Sequence, residues 1–128
     1  MRRGERAERG SAVVDFVLVT MVLVPLVLGI MHLALVLHVR NTLTNAAAEA
    51  ARQAAVHGAD PGDGSSYARE RIGDSIGGGF ARDVRSRATM IDGAPAVEVR
   101  IRAEVPPLGL WGPAVELEVS GRAVQELP

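Results

Sequence analysis

The sequence lacks cysteine and lysine and is poor in aromatic residues, which make up 3% of its 128 positions. Without cysteine, a disulfide framework and a zinc site built on thiolates are excluded. Export is still allowed, because an exported domain can do without disulfides. Aromatic side chains supply the largest buried areas of a small core. Because 48% of the residues are nonetheless hydrophobic, we expect the apolar residues to be concentrated outside a globular core.

Long blocks of one charge sign are also missing. The formal net charge is −1, and no block of like charge is large enough to predict binding to nucleic acid. The main asymmetry is at the start of the chain, where residues 1–10 carry four arginines against two glutamates. The length of the chain leaves room for one small domain.

The longest apolar run extends from Phe16 to Val39 and contains no charged residue. As a helix it would be about 36 Å long, and the hydrocarbon core of a bilayer is about 30 Å thick. A buried helix in a small globule is the alternative, but apolar runs of this length are rare outside membranes. The run therefore predicts one transmembrane helix, and Pro25 is its only strong helix breaker.

The flanks of the apolar run predict its orientation. Four arginines precede the run and only Arg40 follows it closely. Basic residues that flank a membrane span tend to stay on the cytoplasmic side. This tendency places the N-terminus in the cytoplasm and residues 40–128 outside the membrane. A cleaved secretory signal is the alternative, with a small-residue site at Ala46, Ala47 and Ala48. A secretory signal has a shorter apolar stretch, so we expect a single-pass anchor in the cell membrane.

A short charged leader meets the membrane run at Arg9-Gly10-Ser11-Ala12-Val13-Val14-Asp15-Phe16. An acid at the membrane end of a helix is costly, so by default it marks a function and needs a partner. Asp15 lies four residues after Ser11, one turn along the same helix face. If the helix began at Ser11, its dipole would favour an anion at Asp15. The alternative is an interfacial carboxylate that reaches the lipid headgroups.

This spacing resembles the cleavage site of type IV pilins and pseudopilins, in which a glycine is followed by four residues, a glutamate and an aromatic residue. The resemblance implies a processing site between Gly10 and Ser11. It also implies that Asp15 and Phe16 serve peptidase recognition and subunit assembly, the acid meeting the freed amine of a neighbouring subunit. The sequence departs from the family in having aspartate at this position, one methylene shorter than glutamate.

The helix is expected to continue beyond the membrane. Residues 41–56 are rich in alanine, the best helix former. A helix from Ser11 to His57 would be about 70 Å long, with Gly58 as its C-cap. One apolar stripe at helical spacing consists of Leu43, Ala47, Ala50, Ala51 and Ala54.

The rest of the chain predicts a short helix and a small sheet. Residues 60–66 read as a loop, and a helix over Tyr67 to Ile76 ends at Gly77-Gly78-Gly79. After this helix the period of the apolar residues changes from helical to two. Asp92-Gly93 predicts a hairpin turn, and alternation predicts strands around Val84–Met90, Val97–Val105 and Val115–Ser120.

Short connections imply that the three strands form an antiparallel meander, covered on its apolar face by the 41–57 helix. The inward face of the first strand is predicted to hold Val84, Ser86, Ala88 and Met90. In the second strand the alternate residues from Glu98 to Glu104 are predicted to face water.

The order of these elements predicts an α+β, pilin-like fold. Its parts are a leader over residues 1–10, a transmembrane helix with its extension over 11–58, a loop and short helix over 59–82, and a sheet over 83–128. Within the pilin-like class, the chain resembles the TadE-like proteins of tight-adherence pilus loci from Gly10 to about Val56. The residues that carry the resemblance are Ser11 to Val19, Pro25, Gly29 and Asn45 to Arg52.

The resemblance implies a non-catalytic minor pseudopilin of a tight-adherence pilus or a related secretion apparatus. Its expected partners are a prepilin peptidase, other pilin and pseudopilin subunits, the pilus assembly machinery and the lipid bilayer. No cofactor, metal, nucleic acid or small-molecule substrate is expected.

Two other classes of function are compatible with parts of the sequence. The first is an unprocessed single-pass anchor whose outer β domain binds a protein or envelope partner. Its motivation is the amphipathic sheet together with Trp111 in a Pro/Gly loop, although a plug for the open end of a small core is the preferred interpretation of Trp111. The second is an enzyme. His32 and His38 are six residues apart and do not share a helix face, and no nucleophile lies in a catalytic motif.

Overall fold

A computed structural model of the chain describes residues 2–56, 61–77, 79–108 and 112–125. The elements follow in the order α1 (Arg2–Val56), α2 (Pro61–Ile76), β1 (Ala81–Ile91), β2 (Ala94–Val105) and β3 (Val115–Val124). The strands form one antiparallel sheet in the order β1-β2-β3. The predicted α+β class and the meander are therefore confirmed.

Helix α1 is a single element of 55 residues that includes the leader and continues through Pro25. From residue 11 to residue 31 every side chain except that of Thr20 is exposed. The most apolar window of the helix has a mean hydropathy of 2.6 and none of it is buried inside the protein. By length and composition this helix can cross a membrane. Its predicted end at His57 and Gly58 lies outside the described residues.

The second half of α1 carries the sheet on its alanine stripe. All five residues of the predicted stripe are buried, and the stripe extends to Val39, Ala46 and Ala55. The sheet comes so close that a Cβ atom added at Gly121 of β3 would lie 2.3 Å from the carbonyl carbon of Ala47. Small residues on α1 and a glycine on β3 thus allow contact between the two backbones.

Helix α2 begins at Pro61, so the prediction of a loop up to Ser66 was wrong. Proline suits the first helical position because its φ is already helical and its missing N–H has no role there. Asp63 adds an acid to the first turn, which the helix dipole favours. Gly64 is buried, and an added Cβ there would lie 3.2 Å from both the Cβ of Ala54 and the Cγ2 of Val99. Its glycine allows close packing against α1 and the sheet.

The hairpin between β1 and β2 has the predicted turn. Asp92 and Gly93 both have positive φ angles, 49° and 81°, as a type I′ turn requires. The inward residues of β2 are buried as predicted, from Val97 to Val105. The prediction for β1 was wrong at Ala88 and Met90, which are exposed. The first turns of α2 lie at the level of Ser86, which is close to Gly64. From there α2 runs away from the hairpin, so the hairpin end of β1 is left uncovered.

The two helices show which end of the sheet faces the apolar half of α1. Ala54 lies beside Gly64, and the earlier residue Glu49 contacts the later residue Arg71, so α1 and α2 are antiparallel. Helix α2 then leads to Phe80, whose carbonyl accepts a hydrogen bond of 3.0 Å from the N–H of Glu104, next to the end of β2. The Val105 end of the sheet therefore faces the apolar half of α1, and the Asp92-Gly93 hairpin lies at the far end.

We predict that Gly121→Ala destabilises the domain by about 1–3 kcal/mol or more, the cost of overpacking a core. The obstructing atoms belong to the backbone of α1 and cannot rotate away. Thermal unfolding of the protein in detergent micelles would show a midpoint lowered by roughly 4–8 °C per kcal/mol.

The matched control is Gly73→Ala in α2, where an added Cβ has no atom within 4 Å. We expect an unchanged or slightly raised midpoint, because alanine favours helix over glycine. Equal midpoints for Gly121→Ala and the unsubstituted protein would contradict the close approach of α1 and β3.

Candidate functional site

The predicted processing junction lies inside α1, far from the sheet. Gly10, Ser11, Asp15 and Phe16 are all helical and exposed. No atom lies within 4 Å of a Cβ added at Gly10, and Phe16 exposes 71% of its surface. The first residue of α1 packed against the hydrophobic core is Leu35, about 30 Å further along the helix from Asp15. The junction is therefore open to a second protein.

The helix places Ser11 and Asp15 on one face, as their spacing predicts. Within the described part of the chain, no hydrogen bond or ion pair holds the Asp15 carboxylate. By contrast, the hydroxyl of Thr20 donates a hydrogen bond of 2.8 Å to the carbonyl of Phe16 and is satisfied within the helix. Asp15 is thus an acid at the start of an apolar segment with its hydrogen-bonding capacity unused.

The histidines of the apolar run do not form a site with this acid. His38 is exposed, whereas His32 is half-buried, and its buried Nδ1 atom has no hydrogen-bond partner. His32 is about 25 Å along the helix from Asp15. Among the described residues, no group of three or more potential ligands is arranged to hold a metal ion. Trp111 and His57, which the sequence also drew attention to, lie outside the described residues.

Glu49 joins α1 to α2, a contact that the sequence analysis missed. Arg71 donates hydrogen bonds of 3.1 Å to both carboxylate oxygens of Glu49, and the Tyr67 hydroxyl donates one of 3.0 Å. The hydrogen bonds from Arg71 and Tyr67 lower the pKa of Glu49, and the shared bond raises the pKa of Tyr67. These contacts hold α2 against the alanine-rich half of α1. A sequence signal was present, because Tyr67 and Arg71 are spaced to share one helix face.

Glu98 occupies the middle of the outward face of the sheet, and the prediction that it faces water was wrong. Its side chain is 1% exposed because arginines on all three strands cover it. Arg87 and Arg122 lie opposite it in the register and donate hydrogen bonds of 2.5 and 3.0 Å, while Arg100 lies at 3.6 Å. Burial raises the pKa of Glu98, but the hydrogen bonds from Arg122 and Arg87 outweigh it and keep the pKa below its ordinary value.

The outward face has a shallow groove beside Glu98. Its volume is about 260 Å³, and it is lined by charged residues of both signs and one serine: Asp83, Arg85, Ser86, Arg87, Glu98, Arg100 and Arg102. The arginines are paired with carboxylates of the same sheet, such as Arg85 with Asp83 at 2.8 Å and Arg102 with Glu118 at 3.1 Å. The groove is therefore part of a charge network that stabilises the sheet.

Comparison with known proteins bears on the helix that carries the junction. The sequence model of the TadE-like protein family matches residues 10–52. Over this segment the chain is similar to the TadE-like proteins. The TadE-like segment begins at the glycine of the predicted processing site, contains the apolar run, and ends within the alanine-rich part of α1 that packs on the sheet. No curated protein and no solved structure matches the chain.

We predict that Glu98→Gln lowers the thermal midpoint of the protein by roughly 4–8 °C at pH 7. The folded-state pKa of Glu98 is depressed, so its ionised form stabilises the fold above the ordinary glutamate pKa of about 4.3. That stability is lost as the pH falls through the folded-state pKa. Thermal unfolding should therefore show a smaller difference in midpoint between the variant and the unsubstituted protein near pH 3 than at pH 7.

Glu118→Gln is the matched control for this prediction. Glu118 also pairs with arginines, at 3.1 and 3.5 Å, but its side chain is 47% exposed, and exposed ion pairs contribute little to stability. We expect a midpoint close to that of the unsubstituted protein. A pH-independent effect of Glu98→Gln, or an equal effect of both substitutions, would contradict the account.

Proposed function

We propose that this TadE-like protein is a minor pseudopilin, which a prepilin peptidase cleaves between Gly10 and Ser11. After cleavage it takes part in assembling a tight-adherence pilus or a related secretion apparatus. The family itself indicates a role in tight-adherence pilus assembly. The observation that carries the finer proposal is the uncovered junction at the very start of the matched segment, on a helix whose apolar half is exposed.

Cleavage requires the peptidase to open the helix at the scissile bond, and Gly10 makes this easier. A glycine inside a helix destabilises it by about 1 kcal/mol relative to alanine. No neighbouring atom packs against Gly10 to compensate. The exposed Phe16 and Asp15, one to two turns further on, leave an aromatic and an acidic group for the enzyme to recognise.

Cleavage would also change the electrostatics of α1. Ser11 would carry a free ammonium group at the positive end of the helix dipole, and Asp15 would lie one turn inside the new end. Because the Asp15 carboxylate has no partner among the described residues, it is available to the freed amine of an adjacent subunit. Such a pair at the edge of a poorly hydrated region would fix how far one helix is displaced along the next.

The exposed apolar surface of α1 suits both stages of this proposal. Before assembly, the segment from residue 11 to residue 31 is covered by lipid. In an assembly, the helices of other subunits would cover the same surface. The alternative is an unprocessed anchor that uses its sheet domain to bind a partner, which would not require the leader to be removed.

The test is the mass of the mature N-terminal peptide after co-expression with a prepilin peptidase. We predict a chain that begins at Ser11, and a full-length chain for Gly10→Ala. Gly4→Ala is the matched control, because Gly4 is another exposed helical glycine with no atom within 4 Å of an added Cβ. It should be processed like the unsubstituted chain.

Unsubstituted protein that retains the leader in cells with active peptidase would contradict the proposal and favour the unprocessed anchor. Equal loss of processing in Gly4→Ala and Gly10→Ala would show that the substitutions act on the helix in general. Asp15→Asn separates the two roles of the acid: cross-linking between subunits should fall even in chains whose leader has been removed.

A further inference from the structure

The strand pairing arranges the outward side chains of the sheet in rows that run across all three strands. Three rows cross the middle of the sheet and read, starting nearest the Val105 end, Asp83-Arg102-Glu118, Arg85-Arg100-Ser120 and Arg87-Glu98-Arg122. The first and third rows each place a carboxylate opposite an arginine, whereas the middle row contains two arginines and no acid. The three rows together hold five arginines and three carboxylates, a surplus of two positive charges.

The two arginines of the middle row, Arg85 and Arg100, lie directly opposite each other. Like charges at opposite positions of two strands destabilise a sheet. Asp83 partly offsets this repulsion, because it lies 2.8 Å from Arg85. The carboxylate oxygens closest to Arg100 belong to Glu98 and Glu118, at 3.6 and 3.5 Å, beyond the usual length of a hydrogen bond. Within the described residues, the Arg100 side chain therefore makes no hydrogen bond.

The groove beside Glu98 lies over this middle row. Arg85 lines it from β1 and Arg100 lines it from β2. Their side chains are 80% and 40% exposed, so a solute can reach both guanidinium groups. The groove has a volume of about 260 Å³, below the roughly 300–1,000 Å³ of pockets for drug-sized ligands. Its size and charge suit one small anionic group.

We propose that this groove is an oxyanion site, which binds one phosphate group between Arg85 and Arg100. A phosphate monoester carries a charge of about −1.5 to −2 at pH 7 and three strong acceptor oxygens, which matches the surplus of two positive charges. Guanidinium groups bind such oxygens through pairs of parallel N–H donors. A phosphate between the two arginines replaces their repulsion by attraction to a shared anion. Binding therefore stabilises the sheet.

Phosphate of this kind is present in solution and in lipid headgroups, and the position of the groove favours phosphate from solution. Arg100 lies five residues before Val105, about 17 Å along β2 from the end of the sheet that faces the apolar half of α1. The headgroup layer on each side of a bilayer is only about 5–8 Å thick. With α1 in the membrane, the groove lies beyond this layer. Only this choice of source rests on the proposed membrane span.

The experiment measures the thermal midpoint of the full chain in micelles of a non-ionic detergent that contains no phosphate. Potassium phosphate is compared with potassium chloride at equal ionic strength, because salt screens surface charges. When the phosphate concentration equals the Kd, binding should raise the midpoint by about 2–3 °C, with a further rise at higher concentration. Phosphate also stabilises proteins in general because it is excluded from their surface. The decisive quantity is therefore the difference between variants.

Arg100→Gln should lose the additional rise in phosphate. Arg82→Gln is the matched control, because Arg82 is also an exposed arginine of the sheet, paired with Glu104 at 3.5 Å, but does not line the groove. Its response to phosphate should equal that of the unsubstituted protein. Ser120→Asp places an acid opposite Arg100. We expect a higher midpoint in chloride and no additional response to phosphate.

An equal response to phosphate in Arg100→Gln and the unsubstituted protein would overturn the inference. An equal loss in Arg82→Gln would also overturn it, because the response would then depend on overall charge. If polyglutamate raises the midpoint through Arg100 and phosphate does not, the groove binds carboxylates of a protein partner and the phosphate site is wrong.

Bilayer nanodiscs separate the two sources of phosphate. We expect the same response to added phosphate in discs of phosphatidylcholine alone and in discs that also contain phosphatidic acid. A response that disappears only with phosphatidic acid, and a midpoint in chloride that this lipid raises through Arg100, would support the oxyanion site but overturn solution as its source. Neither result bears on cleavage at Gly10, so the site and the proposed function stand or fall separately.

Discussion

One helix has to satisfy two environments in this protein, and the rest of the structure depends on that constraint. The first half of α1 exposes large apolar side chains all around its surface. Contact of such a surface with water is unfavourable, whereas the hydrocarbon core of a bilayer accommodates it. The second half replaces them with alanines along one stripe, which allows the sheet to pack against the helix backbone at Gly121. The change from large to small residues separates the exposed apolar half of α1 from the half that carries the domain, without a break in the helix.

The domain on this helix is small, and ionic contacts supplement its core at two places. Glu49 connects α1 to α2 through Tyr67 and Arg71, and Glu98 joins the three strands through arginines that lie on each of them. With few aromatic residues to bury, the core consists mainly of alanine, valine, leucine and isoleucine. The charge networks lie outside the core, and the three arginines around Glu98 remain 40–64% exposed.

Local patterns were enough to predict much of this fold. Asp92-Gly93 defines a two-residue turn, and the alternation after it identifies the inward face of β2. The start of α2 could not be predicted, because Gly62 and Gly64 read as loop residues until the contact of Gly64 with Ala54 and Val99 is known. The burial of Glu98 depends on arginines of two other strands, although the turn register already places Arg87 opposite it. The junction residues were predicted from a spacing that resembles the pilin cleavage site, whereas their exposure is a property of the whole fold.

The proposed function requires that α1 has its apolar half in the bilayer and its alanine-rich half outside the cell membrane. Since the chain has no cysteine, single cysteines can be introduced and probed in intact cells with a membrane-impermeant maleimide. Val56→Cys should react, because Val56 is 64% exposed at the outer end of α1, whereas Leu23→Cys, 51% exposed in the protein itself, should be shielded by lipid. Reaction of Leu23→Cys as fast as Val56→Cys, or shielding of Val56→Cys until the cells are opened, would contradict the account.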